Sequence, residues 1–135
     1  AAPAPGLPAS STLLPTAAEP GVRDLTGRFL ELAGCRVIMA RNGQEALEKG
    51  LACEGSLDVL ITDVVMPRLG GRELADRLLK ARPQLRVLFI SGYAEDAADL
   101  PAVAGPAGDF LEKPYRPEAL IARVRALLDR EPAAP

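Results

Sequence analysis

The sequence predicts an α/β fold in which a doubly wound parallel sheet is covered by helices on both faces. Short, continuously apolar runs such as 57–62 and 87–90 alternate with longer amphipathic segments. This alternation is typical of parallel strands that are buried on both sides. Polar side chains follow three of the runs, at Asp63, Ser91 and Lys113. Because open parallel sheets carry their chemistry at the carboxyl ends of their strands, these three residues are the first candidates for a functional site.

The composition agrees with this fold and argues against several classes of function. A length of 135 residues suits one domain with a tail. The net charge of −2 and the scarcity of aromatic residues argue against a nucleic-acid partner. The chain has no histidine, which removes the usual zinc sites and the Ser-His and Cys-His nucleophile pairs. No run approaches the roughly 20 apolar residues of a membrane span, so we expect no membrane contact by this domain.

Changes in composition mark the domain boundaries. The Ala/Pro-rich start, 1–11, indicates a linker or tail, and 131–135 indicates a disordered tail. Residues 12–130 form the predicted domain. Since the chain begins with Ala and not Met, we expect a processed product or a piece of a longer protein. Cys35 and Cys53 lack CxxC spacing and are predicted to be buried free thiols, which fits a reducing, cytoplasmic setting.

The first elements of the domain include an irregular strand. Only residues 12–14 are available for the first strand, because Pro15 follows at once and cannot donate to a ladder. We therefore expect this strand to be short, or its last residues to leave the sheet. Apolar residues at helical spacing predict a helix over 20–33, with Gly34 as its stop. A strand is predicted over 35–40.

Each of the first two predicted helices carries an apolar stripe. In the first helix the stripe consists of Val22, Leu25, Phe29, Leu30 and Leu32. The second helix begins with a capping-box-like sequence, in which Asn42 caps and Glu45 reaches back. Its stripe consists of Ala46, Leu47, Leu51 and Ala52.

The second half of the domain continues the alternation. A helix is predicted over 71–81 and a strand over 86–90. Residues 94–107 are rich in Ala, Gly and Pro, so any fourth helix there is short or irregular. A strand over 109–112 and a helix that Pro117 opens complete the domain.

Three motifs at successive strand ends give the chain a family likeness. They are Asp63-Val64-Val65-Met66-Pro67, Ser91-Gly92-Tyr93 and Phe110-Leu111-Glu112-Lys113-Pro114. Over residues 12–130 the chain resembles the receiver (CheY-like response regulator) domain of two-component signalling, most of all the C-terminal receiver of a hybrid histidine kinase. The resemblance implies a flavodoxin-like sheet of five parallel strands in the order 2-1-3-4-5. It also implies a regulatory domain and not an enzyme.

The resemblance implies a role for four residues. Asp63 corresponds to the phosphoryl acceptor, Ser91 to the switch hydroxyl, and Phe110 to the switch aromatic. Lys113 corresponds to the lysine that pairs with the carboxylate and then with the phosphate. These parts suit phosphoryl transfer, which needs a fixed nucleophile and positive charge near the transferred group. The implied partner is a histidine kinase or a histidine phosphotransfer domain, and the last helix offers a face for self-association.

The sequence departs from the family at the magnesium site. Receivers hold Mg²⁺ with an acidic pair at the end of the first strand, and alignment on Glu19 places Ala17 and Ala18 there. Asp63, the carbonyl of Val65 and, after a shift of register, Glu19 are the remaining candidate ligands. Because Mg²⁺ prefers carboxylate oxygens in octahedral geometry, we expect weak or absent binding. Loss of the metal removes charge stabilisation, so we expect slow transfer to Asp63.

Two functions remain open on the sequence. The first is a phosphoryl-accepting switch, which the intact Asp63, Ser91 and Lys113 favour. The second is a pseudo-receiver that acts as an interaction or autoinhibitory module without phosphorylation, which the alanine pair, Pro15 and the irregular 94–107 segment favour. Without a metal, Lys113 and Asp63 can form a standing ion pair. A metal-dependent phosphatase with an aspartyl intermediate is weaker, since it needs the missing acidic ligands.

Each site residue also has a purely structural interpretation. Asp63 can be a loop or helix-capping aspartate, Ser91 part of a turn, and Lys113 a solvated surface lysine. Phe110 can be an ordinary core residue.

Overall fold

The computed structural model describes residues 11–17, 20–64, 66, 69–91, 108–113 and 115–129. The strands in these ranges are β1 (Thr12–Thr16), β2 (Arg36–Val37), β3 (Val59–Asp63), β4 (Arg86–Ser91) and β5 (Gly108–Glu112). The helices are α1 (Pro20–Leu32), α2 (Gly43–Ala52), α3 (Gly71–Ala81) and the last helix, α4 (Pro117–Asp129). All strand pairs are parallel, in the order β2-β1-β3-β4-β5. The predicted fold class and strand order are confirmed.

Two apolar layers cover the sheet, because successive side chains of a strand point to opposite faces. One layer packs against α2 and α3 and includes Leu14, Ala46, Leu60, Leu74, Leu78 and Phe89. The other packs against α1 and α4 and includes Leu13, Leu30, Ile61, Leu88, Leu120 and Val124. The sheet is therefore buried on both faces, as the continuously apolar runs predict.

Pro15 lies inside β1, and the expectation that the strand stops short of it or leaves the sheet there is wrong. Pro15 is in register with Ile61 of β3, and its carbonyl accepts the N–H of Ala40 at 3.1 Å. The N–H and C=O of a residue in an extended strand point to the same side, so the donor that proline lacks faces the β2 side. β2 therefore lacks one ladder hydrogen bond and is short: it spans Arg36–Val37 in place of the predicted 35–40. Pairing resumes only as an isolated bridge between Thr16 and Ala40.

The predicted helix signals at α1 and α2 are largely confirmed. Gly34 ends α1 with a φ of 103°, a conformation that glycine adopts without a steric penalty. The backbone N–H of Glu45 donates to Asn42 Oδ1 at 2.8 Å, which caps α2. The Glu45 carboxylate reaches back one residue further than a capping box requires, and it accepts the backbone N–H of Arg41 at 3.2 Å.

Parts of the predicted apolar stripes face solvent. Leu25 is 54% exposed, Leu32 is 79% exposed and Leu51 is 52% exposed. Helical spacing placed these leucines on the apolar stripes, but the described residues do not cover them. Cys35 is buried as predicted, whereas Cys53 is only partly buried. Burial, with a smaller contribution from Asp58, raises the pKa of the Cys35 thiol and keeps it neutral and unreactive.

Three sequence predictions fall almost wholly outside the described residues: the linker or tail over 1–11, the short or irregular fourth helix over 94–107, and the disordered tail over 131–135. Of these residues the structure describes Ser11, which is buried and whose carbonyl accepts the N–H of Arg36. Among the helices that the structure describes, none combines the length and apolarity that a membrane span requires.

Candidate phosphoryl-acceptor site

Asp63 is the last residue of β3 and is held by the loop that follows. The N–H of Val64 donates to the carbonyl of Ile90 at 3.1 Å, and the N–H of Gly71 donates to the carbonyl of Val64 at 3.0 Å. These hydrogen bonds hold the start of α3 directly against the end of β3. A β-carbon at Gly71 would collide with the backbone carbonyl of Asp63, so this close approach requires glycine.

Lys113 forms an ion pair with Asp63 across the strand ends. Its Nζ lies 3.1 Å from Asp63 Oδ1, and the two side chains are 37% and 17% exposed. The backbone N–H of Lys113 donates to the carbonyl of Ser91 at 2.7 Å, which anchors the start of the β5–α4 loop on β4. The structure therefore brings two of the sequence-predicted site residues into direct contact, although they are 50 positions apart in the chain.

Ser91 and Phe110 occupy neighbouring positions with different surroundings. Ser91 is the last residue of β4, is 1% exposed and lies in register with Glu112. Phe110 lies in register with Phe89 and is partly buried against the layer under α2 and α3. Ser91 is thus linked to Lys113 through the backbone, and Phe110 packs in the core layer beside Phe89, two residues before the end of β4.

A small cavity lies beside Asp63, between the strand ends and the first turns of α1. Its volume is about 10 Å³, and Ala17, Arg23, Thr26 and Tyr115 are among its lining residues. Such a volume is close to the minimum for one water molecule. Arg23 enters the site from α1, and its Nη1 lies 3.4 Å from the carbonyl oxygen of Ala17.

Arg23 is the site residue that the sequence interpretation missed. A signal was available, because the helix that follows a strand of a parallel sheet starts at the carboxyl edge of that sheet. A polar residue in the first turn of such a helix therefore lies near the residues at the strand ends. The third position after Pro20 is occupied by Arg23, and it meets this condition.

The described residues do not fit a magnesium ion. Ala17 is buried and occupies one position of the expected acidic pair with a methyl group, while a guanidinium lies against its carbonyl. No group of three or more carboxylate, thiol or imidazole side chains is close enough to hold a metal in the described part of the chain. Ala18, Glu19 and Val65 lie outside the described residues. Asp63 is the one predicted carboxylate ligand that the structure describes, and it is paired with Lys113.

A wider groove adjoins this site along α1. It has a volume of about 400 Å³ and is lined by Val22, Leu25, Phe29, Lys113 and Tyr115, together with Thr26 and Pro117. The groove is mainly apolar and reaches the lysine that pairs with Asp63. It therefore presents an apolar surface next to the lysine that pairs with Asp63.

The fold and the site together define a doubly wound α/β domain in which an aspartate at the end of β3 forms an ion pair with a lysine directly after β5. The family model for the response regulator receiver domain matches residues 18–125. The chain belongs to this family of two-component signalling domains.

Curated relatives and solved structures agree with the family assignment. The chain is 36% identical over 125 residues to the sensor kinase CckA of Brucella abortus, covering 93% of this chain and 13% of that protein. It is 36% identical over 109 residues to the response regulator MprA of Mycobacterium leprae, covering 81% of this chain and 47% of that protein. The chain thus spans less than half the length of both relatives. The structure of the receiver domain from the hybrid histidine kinase CckA superposes with a TM-score of 0.74 at 31% identity, covering 88% of this chain and 100% of that one.

Proposed function

We propose that this domain accepts a phosphoryl group on Asp63 from the phosphohistidine of a histidine kinase or a histidine phosphotransfer domain. The observation that carries the proposal is the ion pair between Asp63 and Lys113 at the rim of the sheet. A carboxylate oxygen of Asp63 forms the new bond to phosphorus while the phosphorus–nitrogen bond to the donor histidine breaks. Lys113 holds the carboxylate before transfer and neutralises phosphoryl charge afterwards, which is the main help that this reaction needs from a protein.

Ser91 and Phe110 form the readout of the proposed switch. Ser91 is buried at the end of the strand next to Asp63, so its hydroxyl can supply a hydrogen bond to the phosphoryl group after a local rearrangement. Phe110 lies beside Phe89 of the same strand and would respond to such a movement. Through the backbone bond between Lys113 and Ser91, a displacement of the lysine would be transmitted to β4.

Magnesium binding is proposed to be weak. Mg²⁺ requires near-octahedral oxygen ligands, and the buried methyl group of Ala17 supplies none. Receivers of this family use the metal to neutralise charge on the transferred group, so its weak binding would slow transfer.

A pseudo-receiver function is the second candidate, and a specific observation favours it. Ala17 places a buried methyl group where receivers have one of their acidic metal ligands, and Lys113 and Asp63 form an ion pair. Such a pair stabilises one conformation of the strand ends and lets the domain serve as an interaction or autoinhibitory module.

The parent protein is proposed to be a hybrid histidine kinase. The likeness to the sensor kinase CckA and to the receiver domain of a hybrid kinase supports this assignment. A histidine kinase partner also implies a cytoplasmic location.

The first experiment is a magnesium titration of the purified domain, followed by NMR amide shifts with and without beryllofluoride as a phosphoryl mimic. Slow phosphorylation by acetyl phosphate is measured in parallel as an increase in intact mass, with Asp63→Asn as the control. A mass increase that the control lacks supports the acceptor function. No increase under any condition excludes it and leaves the pseudo-receiver function.

The metal question has its own test in the same assay. Without saturable amide shifts from Mg²⁺ around Asp63, the metal site is absent or very weak. The double substitution Ala17→Asp and Ala18→Asp should then restore a saturable response. If it does not, the loss of the site has a cause other than the alanine pair.

A further inference from the structure

We propose that Arg23 supplies the second positive charge for the phosphoryl group on Asp63, so that the site accepts and holds phosphate without a divalent cation. The inference rests on the proposed acceptor function and deepens it. It assigns to α1 a role in the chemistry that no motif of the sequence indicates.

The first observation is the position of Arg23. Arg23 lies on α1 and lines the same small cavity as Asp63. Its guanidinium is partly buried, and Nη1 lies 3.4 Å from the carbonyl oxygen of Ala17. By alignment, Ala17 corresponds to one of the acidic residues that hold the metal in receivers. Because a guanidinium remains charged at every relevant pH, a positive charge is already present beside Ala17.

The second observation is that residue 17 is an alanine and not an acidic residue. A carboxylate at this position would neutralise a neighbouring arginine, whereas a methyl group leaves its charge available. Within the described part of the chain, Arg23 forms no ion pair, and its hydrogen bond to the Ala17 carbonyl is long. Replacing the acidic pair with alanine therefore removes the metal ligands, and among the described residues it leaves Arg23 without an acidic partner at that end of β1.

The third observation is the arrangement of the two cations, Lys113 and Arg23. Lys113 contacts Asp63 Oδ1 at 3.1 Å from the β5–α4 loop, and Arg23 on α1 lines the cavity beside Asp63. A phosphoryl group on Asp63 would thus lie near two cations that come from different elements. A guanidinium donates two parallel hydrogen bonds to phosphate oxygens, which a lysine does not. Together the two side chains supply the charge neutralisation that phosphoryl transfer requires.

The reaction with a small donor is balanced without a metal. With acetyl phosphate, an oxygen of the Asp63 carboxylate forms a bond to phosphorus while the phosphorus–oxygen bond to the acetyl group breaks. Acetate leaves with the electron pair of that bond, and no oxidation or reduction occurs. Lys113 and Arg23 neutralise the oxygens of the transferred group throughout.

The test is the rate of Asp63 phosphorylation by acetyl phosphate, measured by intact mass in EDTA and again in excess Mg²⁺. For the wild-type domain we expect phosphorylation in EDTA and little acceleration by Mg²⁺. Arg23→Ala should lower the rate in EDTA by about tenfold or more, since removal of one preorganised donor from a charged transition state costs about that much or more. Arg23→Lys, which retains the charge, should recover part of the loss.

Arg28→Ala is the matched control, because Arg28 lies on the same helix, is exposed and does not line the cavity. It removes the same charge and should leave the rate unchanged. A small-molecule donor is used so that an effect of Arg23 on docking of a kinase does not enter. Thermal unfolding of each variant separates a loss of fold from a loss of rate.

The outcomes distinguish this inference from the proposed function. If Asp63 is phosphorylated only in Mg²⁺, or if Arg23→Ala and Arg28→Ala have the same rate in EDTA, the role of Arg23 is overturned and the acceptor function stands. If no variant is phosphorylated under any condition, both fall. A selective loss in Arg23→Ala, with partial rescue by lysine, supports both.

Discussion

At the scale of single residues, two neighbouring threonines beneath the site differ in how their hydroxyl groups are bonded. Thr16 and Thr62 are in register on β1 and β3, and both are buried. Thr62 Oγ1 bonds the backbone carbonyl of Asp63 at 3.0 Å and lies 3.7 Å from the sulfur of Met66. Thr16 Oγ1 is buried without a hydrogen-bond partner among the described residues. A buried polar group without a partner costs about 1–3 kcal/mol.

Thr16→Val should therefore leave the free energy of unfolding unchanged or raise it by about 1 kcal/mol, because valine replaces the hydroxyl with a methyl group of similar size. Thr62→Val, the matched control, should lower it by about 1 kcal/mol, since it removes a bond that is made. Urea unfolding measures both. Equal losses in the two variants would contradict the prediction and would mean that the Thr16 hydroxyl is bonded in solution.

Glu45 provides a prediction for pH. Hydrogen bonds from Arg41, with a smaller contribution from Lys49, lower the pKa of Glu45 below its ordinary value of 4.5. A carboxylate with a lowered pKa stabilises the folded state above pH 4.5, and this contribution is lost as pH falls through the folded-state pKa. Glu45→Gln should flatten the fall of unfolding free energy in acid, whereas Glu48→Gln on the same helix should not. Urea unfolding over a series of pH values checks the slope, and identical slopes for both variants would argue against this role of Glu45.

At the scale of secondary-structure elements, the contact between α3 and β3 decides where Asp63 lies. α3 begins at Gly71 directly against the end of β3, and its preceding residue, Gly70, offers no side-chain cap. The helix start is therefore set by packing on the strand and by the bond between Gly71 and Val64. α1 is different near its start, where a β-carbon at Gly21 would meet no atom within 4 Å.

Gly71→Ala should lower the free energy of unfolding by about 1–3 kcal/mol. The new methyl group collides with the backbone carbonyl of Asp63, and this backbone can move only if β3 is distorted. Gly21→Ala should raise the free energy of unfolding by up to about 1 kcal/mol, since alanine loses less backbone entropy in a helix. Denaturant unfolding provides both values. A neutral Gly71→Ala variant would show that the α3–β3 contact is looser than described.

At the scale of the whole molecule, the ion pair of Asp63 and Lys113 lies beside an exposed apolar surface on α1. Leu25 is 54% exposed and lines the groove that reaches Lys113. In the proposed reaction, a donor histidine approaches Asp63 together with the domain that carries it. The groove would then supply apolar contact area close to the carboxylate, where binding energy serves to orient the donor.

Leu25→Glu should lower the rate of phosphoryl transfer from an autophosphorylated histidine kinase domain by about tenfold or more, because burying a leucine contributes about 1.5–3 kcal/mol. Phosphorylation by acetyl phosphate should be unaffected, since the small donor needs no docking surface. Leu51→Glu on α2 is the control, as Leu51 is similarly exposed, at 52%, but does not line the groove. An equal loss in both variants would place the kinase contact elsewhere.

The parts of this protein that depend on local sequence were predictable. Continuous apolar runs identified the strands, because a parallel strand is buried on both faces wherever it lies in the sheet. The cap at Asn42 and the stop at Gly34 were also correct, since both depend on the backbone of a few adjacent residues. Asp63 and Lys113 were identified by their positions directly after strands.

The sequence by itself thus determined the fold class, the strand order that the family likeness implied, and the residues at the strand ends. The tertiary structure alone decided how Pro15 is accommodated. The proline stays within β1, and β2, which faces its missing N–H donor, is the strand that is shortened. The tertiary structure also decided that Leu25 and Leu32 are exposed, that Arg23 lines the cavity beside Asp63, and that Lys113 contacts Asp63 from the β5–α4 loop. The physical reason is that periodicity specifies which side chains share a face, whereas the atoms that meet that face belong to segments distant in the chain.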